Sequence, residues 1–252
     1  MTDVIPLHTS TPLSRLRRDL VLAYHVLASQ GHGSDIAGHV TARLPGADSF
    51  WTNRFRLGFD EATLDELHEA DLDLQVRSGN GMISPALTLH TEIYRRRPDV
   101  NAVVHSHPVN GVALSAIGAR LAPIDQQASI FWDDIGFFDE HHGVFIDGQG
   151  EAQAVAAALG RQRAMILKNH GIVVVGESVR EAAVAAIILE TAAAVQIKAM
   201  AAGALDPMPV EALRQSKSFL SKKEFFDWRF EYFSRCVLRE RPDLAKTLGP
   251  QT

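Results

Sequence analysis

The sequence predicts one α/β domain whose mixed or antiparallel sheet is covered by helices. Three observations carry that expectation. Segments with apolar residues every three or four positions alternate with short β-branched runs. Some runs are joined by glycine-marked, hairpin-like turns and others by helical stretches, which argues against a purely parallel sheet. No internal repeat or linker divides the 252 residues, a length that suits one large domain.

Residues 1–11 have no periodicity and read as a loose leader. From Pro12, Leu13, Leu16, Leu20, Tyr24 and Leu27 mark one face of a helix, closed by Gly31 and Gly33. The next segment holds HVTAR and SFWTNRFRLGF, alternating runs that predict two or three strands. DEATLDELHEADL is acidic and reads as a loop or short helical turn. LDLQVRSGNGMIS reads as a strand, a tight turn at Gly79-Asn80-Gly81 and a return. Ser84 and Pro85 supply an N-cap and a first-turn proline for a helix to Arg97, stopped by Pro98.

Residues 102–107 are the next strand, and 111–117 a short helical stretch. Residues 121–128 are strand or loop, and FWDDIGFFDEHHGVFIDG is strand-and-turn material. A short alanine-rich helix over 151–159 precedes two buried strands, 164–168 and 172–175. Ser178 and Glu181 form a capping box that opens a long helix to Ala202, ended by Gly203. Pro207 and Pro209 mark a break. Ser221 and Glu224 repeat the capping pattern for a last helix, roughly to Arg239. That helix carries Phe225, Phe226, Trp228, Phe230, Tyr232 and Phe233, an apolar face too wide for solvent. It reads as core, as a subunit contact or as a lid over a neighbouring chain's site.

Composition narrows the classes of function. With 46% hydrophobic and 22% charged residues, the chain can build a core without disulfides. The single cysteine, Cys236, cannot bridge within the chain, which points to a reducing compartment, the cytoplasm. A net charge of −5 without a lysine or arginine run argues against nucleic acid as a partner. The N-terminus lacks a signal-peptide pattern, and the best apolar run, 182–189, meets Glu190 at once, so no membrane span is expected. A soluble protein acting on a small molecule is the expectation.

The histidines carry the chemistry. In NAVVHSHP, His105 and His107 are two apart at the end of a β-branched run, and such residues share one face of a strand. His170, in MILKNHGIVVVG, lies between two apolar runs. Two histidines from a strand and a third from a turn make a ligand set for a divalent ion; zinc, manganese, iron and cobalt all accept it. His39, after Gly38, sits where glycine lets a ligand approach closely. His90 reads foremost as a core histidine bonded to a backbone group. His141-His142, an adjacent pair in a turn, reads as solvated.

The blocks SPALTLHTEIYRRRPDVNAVVHSHP, KNHGIVVVGESVREA and GHVTAR resemble the class II aldolase/adducin family over roughly residues 12–205, leaving 206–252 as a helical extension. The resemblance implies a three-layer α/β/α fold with a mixed, largely antiparallel sheet. It also implies a homotetramer with sites near subunit interfaces, and one divalent ion on His105, His107 and His170.

The departures from the family pattern bear on the reaction. The resemblance implies a catalytic glutamate nineteen residues before His105, where this chain has Ala86. The family's phosphate-binding asparagine is replaced in Gly38-His39-Val40-Thr41, and its Thr-Gly looks like Leu57-Gly58. A tyrosine supplied by a neighbouring subunit falls at Gln126. Together these argue against sugar-phosphate aldol cleavage. Decarboxylation asks less of the protein, because only the product carbon must take up a proton. The expected function is a metal-dependent lyase, a decarboxylase of a hydroxylated aromatic or heteroaromatic acid in aromatic catabolism. Arg43, Ser84 and Gln126 would contact substrate, and His39 or His90 would supply the proton. An aldolase on a non-phosphorylated hydroxy-carbonyl compound and a non-haem-iron oxygenase are the alternatives.

Overall fold

A computed structural model describes residues 11–33, 35–140 and 149–248. The leader over 1–10 and the pair His141-His142 lie outside the described residues.

Helix α1 (Pro12–Ser29) starts at Thr11, whose side chain accepts the N–H of Ser14 at 3.1 Å. Among the described residues eight strands then build one sheet: β1 (His39–Ala42), β2 (Ser49–Asn53), β3 (Leu67–Asp71), β4 (Val76–Ser78), β5 (Ala102–Ser106), β6 (Ile135–Phe138), β7 (Ala164–Leu167) and β8 (Gly171–Gly176). The order is β4-β3-β2-β1-β5-β8-β7-β6, and only β6 and β7 pair in parallel.

Alternation along the central strands sends side chains into two cores. Ala102, Val104, Ile172 and Val174 join α1, α5 (Val179–Ala202) and α7 (Lys223–Glu240) on one face. Val103, Val173 and Val175 join α2 (Thr88–Arg96) and α4 (Gln149–Leu159) on the other. Both faces are buried, so β5 and β8 read as unbroken apolar runs rather than alternating ones. The result is the three-layer arrangement with a mixed, largely antiparallel sheet. Tyr24 ties α1 to the sheet by donating to the Val40 carbonyl at 2.6 Å.

Four local expectations are corrected. The acidic segment opens with the expected short helical turn, a 3₁₀ helix at Phe59–Glu61, but its second half is β3, because pairing with β2 buries Ala70 and gives Glu69 the Ser49 hydroxyl at 2.6 Å. The hairpin reverses at 72–75 rather than at Gly79-Asn80-Gly81. Asp71 Oδ1 accepts the N–H groups of Asp73 and Gln75 at 3.0 and 2.9 Å, an Asx turn that Leu74 completes in the left-handed region. Ser84 caps a 3₁₀ turn, Pro85–Leu87, and the α-helix begins only at Thr88. Ser221 does not open α7; it closes α6 (Val210–Leu220), a helix that the two preceding prolines obscured.

The aromatic helix divides its rings. Phe226 and Phe230 are buried in the core, where each contributes about 2–3 kcal/mol, while Trp228 and Tyr232 are exposed. Helix α5 also overturns the expectation that no stretch is long and apolar enough to span a membrane. By length and hydropathy it passes, yet its apolar residues pack against β8, α1 and α7.

Candidate metal centre

Strand β5 delivers His105, and His107 follows just past its end. His105 faces the side of α2, since it alternates with Val104 and aligns with Val103. Across the ladder it pairs with His39 on β1 and Val173 on β8. After His107 the chain turns at Pro108 into α3 (Val109–Ala116). Glu190 of α5 holds that turn by accepting the N–H groups of Asn110 and Gly111 at 2.9 and 2.8 Å.

His170 comes from the turn between β7 and β8. Asn169 takes a left-handed φ of 56°, and its N–H donates to Ser115 Oγ at 3.1 Å. The glycine after His170 is required by contact. A Cβ on Gly171 would stand 2.4 Å from the Ser106 carbonyl oxygen and 2.7 Å from His107 Cδ2.

The three rings lie 4.8–4.9 Å apart by centroid, and one nitrogen from each falls within 4.8 Å of the others. His105 Nδ1 donates to the Ile172 carbonyl at 3.0 Å, which puts the lone pair on Nε2. His107 Nε2 is buried with no hydrogen-bond partner among the described residues. Burial pushes the His105 pKa well below the usual imidazole range, with repulsion from His107 and His170 adding to it; burial lowers His107 too. Neutral imidazole is the form that ligates a metal. The donor set therefore fits a divalent ion, and the cluster contains no carboxylate.

Further polar groups surround this set. The His39 ring stacks on His105 at 5.6 Å and bonds through Nε2 to Ser84 Oγ at 3.0 Å. His90, fully buried on α2, lies 5.8 Å from His39. Its Nδ1 meets Thr41 Oγ1 at 2.9 Å, so its partner is a hydroxyl rather than the expected backbone group. His39 Nδ1 and His90 Nε2 are buried without partners among the described residues. Burial takes the His39 pKa down to about 4 and His90 well below its usual range. Ala86 sits on the Ser84 turn and packs against the apolar core.

One expected substrate contact is not brought here. Arg43 is buried, donating Nε to the Val100 carbonyl at 3.0 Å and Nη2 to that of Arg97 at 3.1 Å, with its guanidinium over the Tyr94 ring. It holds the α2–β5 connection instead. Arg43→Ala should destabilise the fold by about 2–3 kcal/mol in urea unfolding, with bound metal unchanged. Gln126, expected at the position of a residue that a neighbouring subunit supplies, stands exposed before a 3₁₀ turn, Gln127–Phe131.

One residue of the surroundings was not read from the sequence. His32, buried after α1, meets Ser106 Oγ at 2.9 Å on the opposite face of β5 from His105. A lone histidine between glycines carries no periodic signal.

The profile for the Class II Aldolase and Adducin N-terminal domain matches residues 18–197. A 4-hydroxy-3-prenylphenylpyruvate oxygenase/4-hydroxy-3-prenylbenzoate synthase from Streptomyces roseochromogenus subsp. oscitans is 35% identical, over 86% of this chain and 80% of that protein. Decarboxylase NovR from Streptomyces niveus is 34% identical, over 85% and 80%. A 3,4-dihydroxyphthalate decarboxylase from Arthrobacter keyseri is 31% identical, over 80% and 86%. Among solved structures, L-fuculose 1-phosphate aldolase from Glaciozyma antarctica superposes with a TM-score of 0.82 at 28% identity, over 92% of this chain and 91% of that one.

Proposed function

Because the chain belongs to the class II aldolase and adducin family, we propose that it is a divalent-metal-dependent carbon–carbon lyase that decarboxylates a hydroxylated aromatic or heteroaromatic acid. The observation that carries this reading is a cluster whose three converging ligands are all imidazoles, with alanine at position 86 where the family's aldolases are expected to carry a glutamate. Two relatives named as decarboxylases support it.

A divalent ion on His105, His107 and His170 would act as a Lewis acid toward the oxygens of the ring hydroxyl and the departing carboxylate. The protein's own part is orientation and the proton. The Ile172 carbonyl holds His105 in the tautomer that presents Nε2. When the ring–carboxylate bond breaks, carbon dioxide leaves and the electron pair stays with the ring, whose carbon then takes one proton. His39 is neutral at physiological pH, so it serves as a relay rather than as an imidazolium acid. Nδ1–H gives its proton while Nε2 accepts that of Ser84 Oγ, and solvent water returns a proton to the serine oxygen, so water is the net proton source.

A second reading, a non-haem-iron oxygenase, is favoured by one observation: the relative at 35% identity is named in part as an oxygenase. The metal-loaded protein, offered a panel of hydroxyaromatic acids in air and under nitrogen, separates the two. The lyase reading expects equal carbon dioxide release in both. Release only in air, with oxygen uptake, transfers the case to the oxygenase; aldehyde release from hydroxy-carbonyl compounds without carbon dioxide transfers it to an aldolase.

A further inference from the structure

Strand pairing stops short of two of the three histidines. The ladder between β5 and β8 ends at the pair Ser106 and Ile172, so His107 lies one residue beyond it. His170 lies in the turn that precedes β8. Helix α3, which begins directly after Pro108, reaches the chain beside both.

Its first turn has no cap of its own, because Pro108 at the N-cap position offers no side-chain oxygen. Glu190, half-buried on α5, fills that role from outside. One of its oxygens accepts the Asn110 N–H at 2.9 Å and Asn110 Nδ2 at 2.6 Å; the other accepts the Gly111 N–H at 2.8 Å. A carboxylate suits that place, since the orphan N–H groups of a helix start carry positive charge. Near the other end of α3, the fully buried Ser115 hydroxyl donates to the Val112 carbonyl at 2.7 Å. The same oxygen accepts the Asn169 N–H at 3.1 Å. Asn169 is the left-handed residue directly before His170, in a conformation that persists only where surrounding contacts impose it.

We infer that Glu190 and Ser115 are positioning residues for the metal centre, acting through α3. Glu190 fixes the turn that aims His107, and Ser115 fixes the turn that aims His170. The inference rests on the reading of the triad as a metal site, and neither residue belongs to the ligand set itself. Each side chain is specified by what it bonds. A glutamine at 190 would turn its own amide hydrogens against one of the N–H groups that converge there, and an alanine at 115 leaves Asn169 without its acceptor.

The test is cobalt(II) binding to the full chain after removal of metal by a chelator. Glu190→Gln and Ser115→Ala should each weaken cobalt affinity about tenfold, the lower end of what losing an outer partner of a ligand does. The visible bands of bound cobalt, which report ligand geometry, should change in both variants. Arg43→Ala is the control for lost stability alone: it breaks buried bonds at the far end of β5 and should leave affinity and bands as in the wild type. Ser115→Ala removes a single oxygen and keeps the fold, so it decides the matter if Glu190→Gln does not fold. Wild-type affinity and bands in either folded variant, or an equal loss in Arg43→Ala, overturns the inference. A wild type that binds no cobalt overturns the metal reading and the inference with it, whereas tight wild-type binding untouched by Ser115→Ala overturns the inference alone.

Discussion

His107→Ala should yield a folded protein that has lost its metal and, with it, nearly all activity. The residue is half-buried and sits one position beyond β5, so truncation leaves the ladder between β5 and β8 intact. Removing a supporting partner of a ligand typically weakens metal binding about 10–100-fold, and removing the ligand itself should exceed that. Lewis-acid stabilisation of several kcal/mol, taken as about 4, corresponds to roughly a thousandfold in rate. Metal content after dialysis, a thermal melt and the rate of carbon dioxide release should therefore separate cleanly: melt nearly unchanged, metal and rate lost together. Full activity in metal-depleted protein would sink the metal-dependent reading. His105→Ala is a less clean test, because it also deletes the bond to Ile172 inside the core.

Gly171→Ala should be the most damaging single methyl in the site. The added carbon meets the Ser106 carbonyl oxygen at 2.4 Å, and backbone cannot swing aside as a side-chain tip can. Strands β5 and β8 must part locally, at a cost of about 3 kcal/mol. The same shift moves His170 away from His107, so metal binding should weaken as well. Gly111→Ala is the matched control. Its new carbon meets Ile172 Cγ2 at 3.1 Å, a side-chain atom that can give way, so urea unfolding should register less than about 1 kcal/mol. Equal stability of the two variants would contradict the close-approach account.

The histidine triad was legible because its signal is local. Two residues apart on a strand is a same-face relation whatever the rest of the chain does, and His105 and His107 needed only β5 to meet. Helices α1 and α5 were legible for the same reason, their caps and apolar spacing being set within a few residues. The acidic stretch over β3 was misread because its strand character comes from partners. Its own composition favours a loop, and only burial against β2 outweighs that. Helix α6 was missed because prolines at its threshold look like a break, although Pro209 is simply its N-cap.

The surroundings of the triad divide along the same line. By itself the sequence determined where a metal can be held and that position 86 has no carboxylate, since both follow from residue identity at short range. The tertiary structure alone decided what stands around that site. Strand pairing set His39 against His105, and α2 packing brought His90 beside them. Those same contacts turned Arg43 away into the α2–β5 connection. Which face of a strand or helix meets which neighbour is settled by burying both faces of the sheet at once, and no short window of sequence contains that competition.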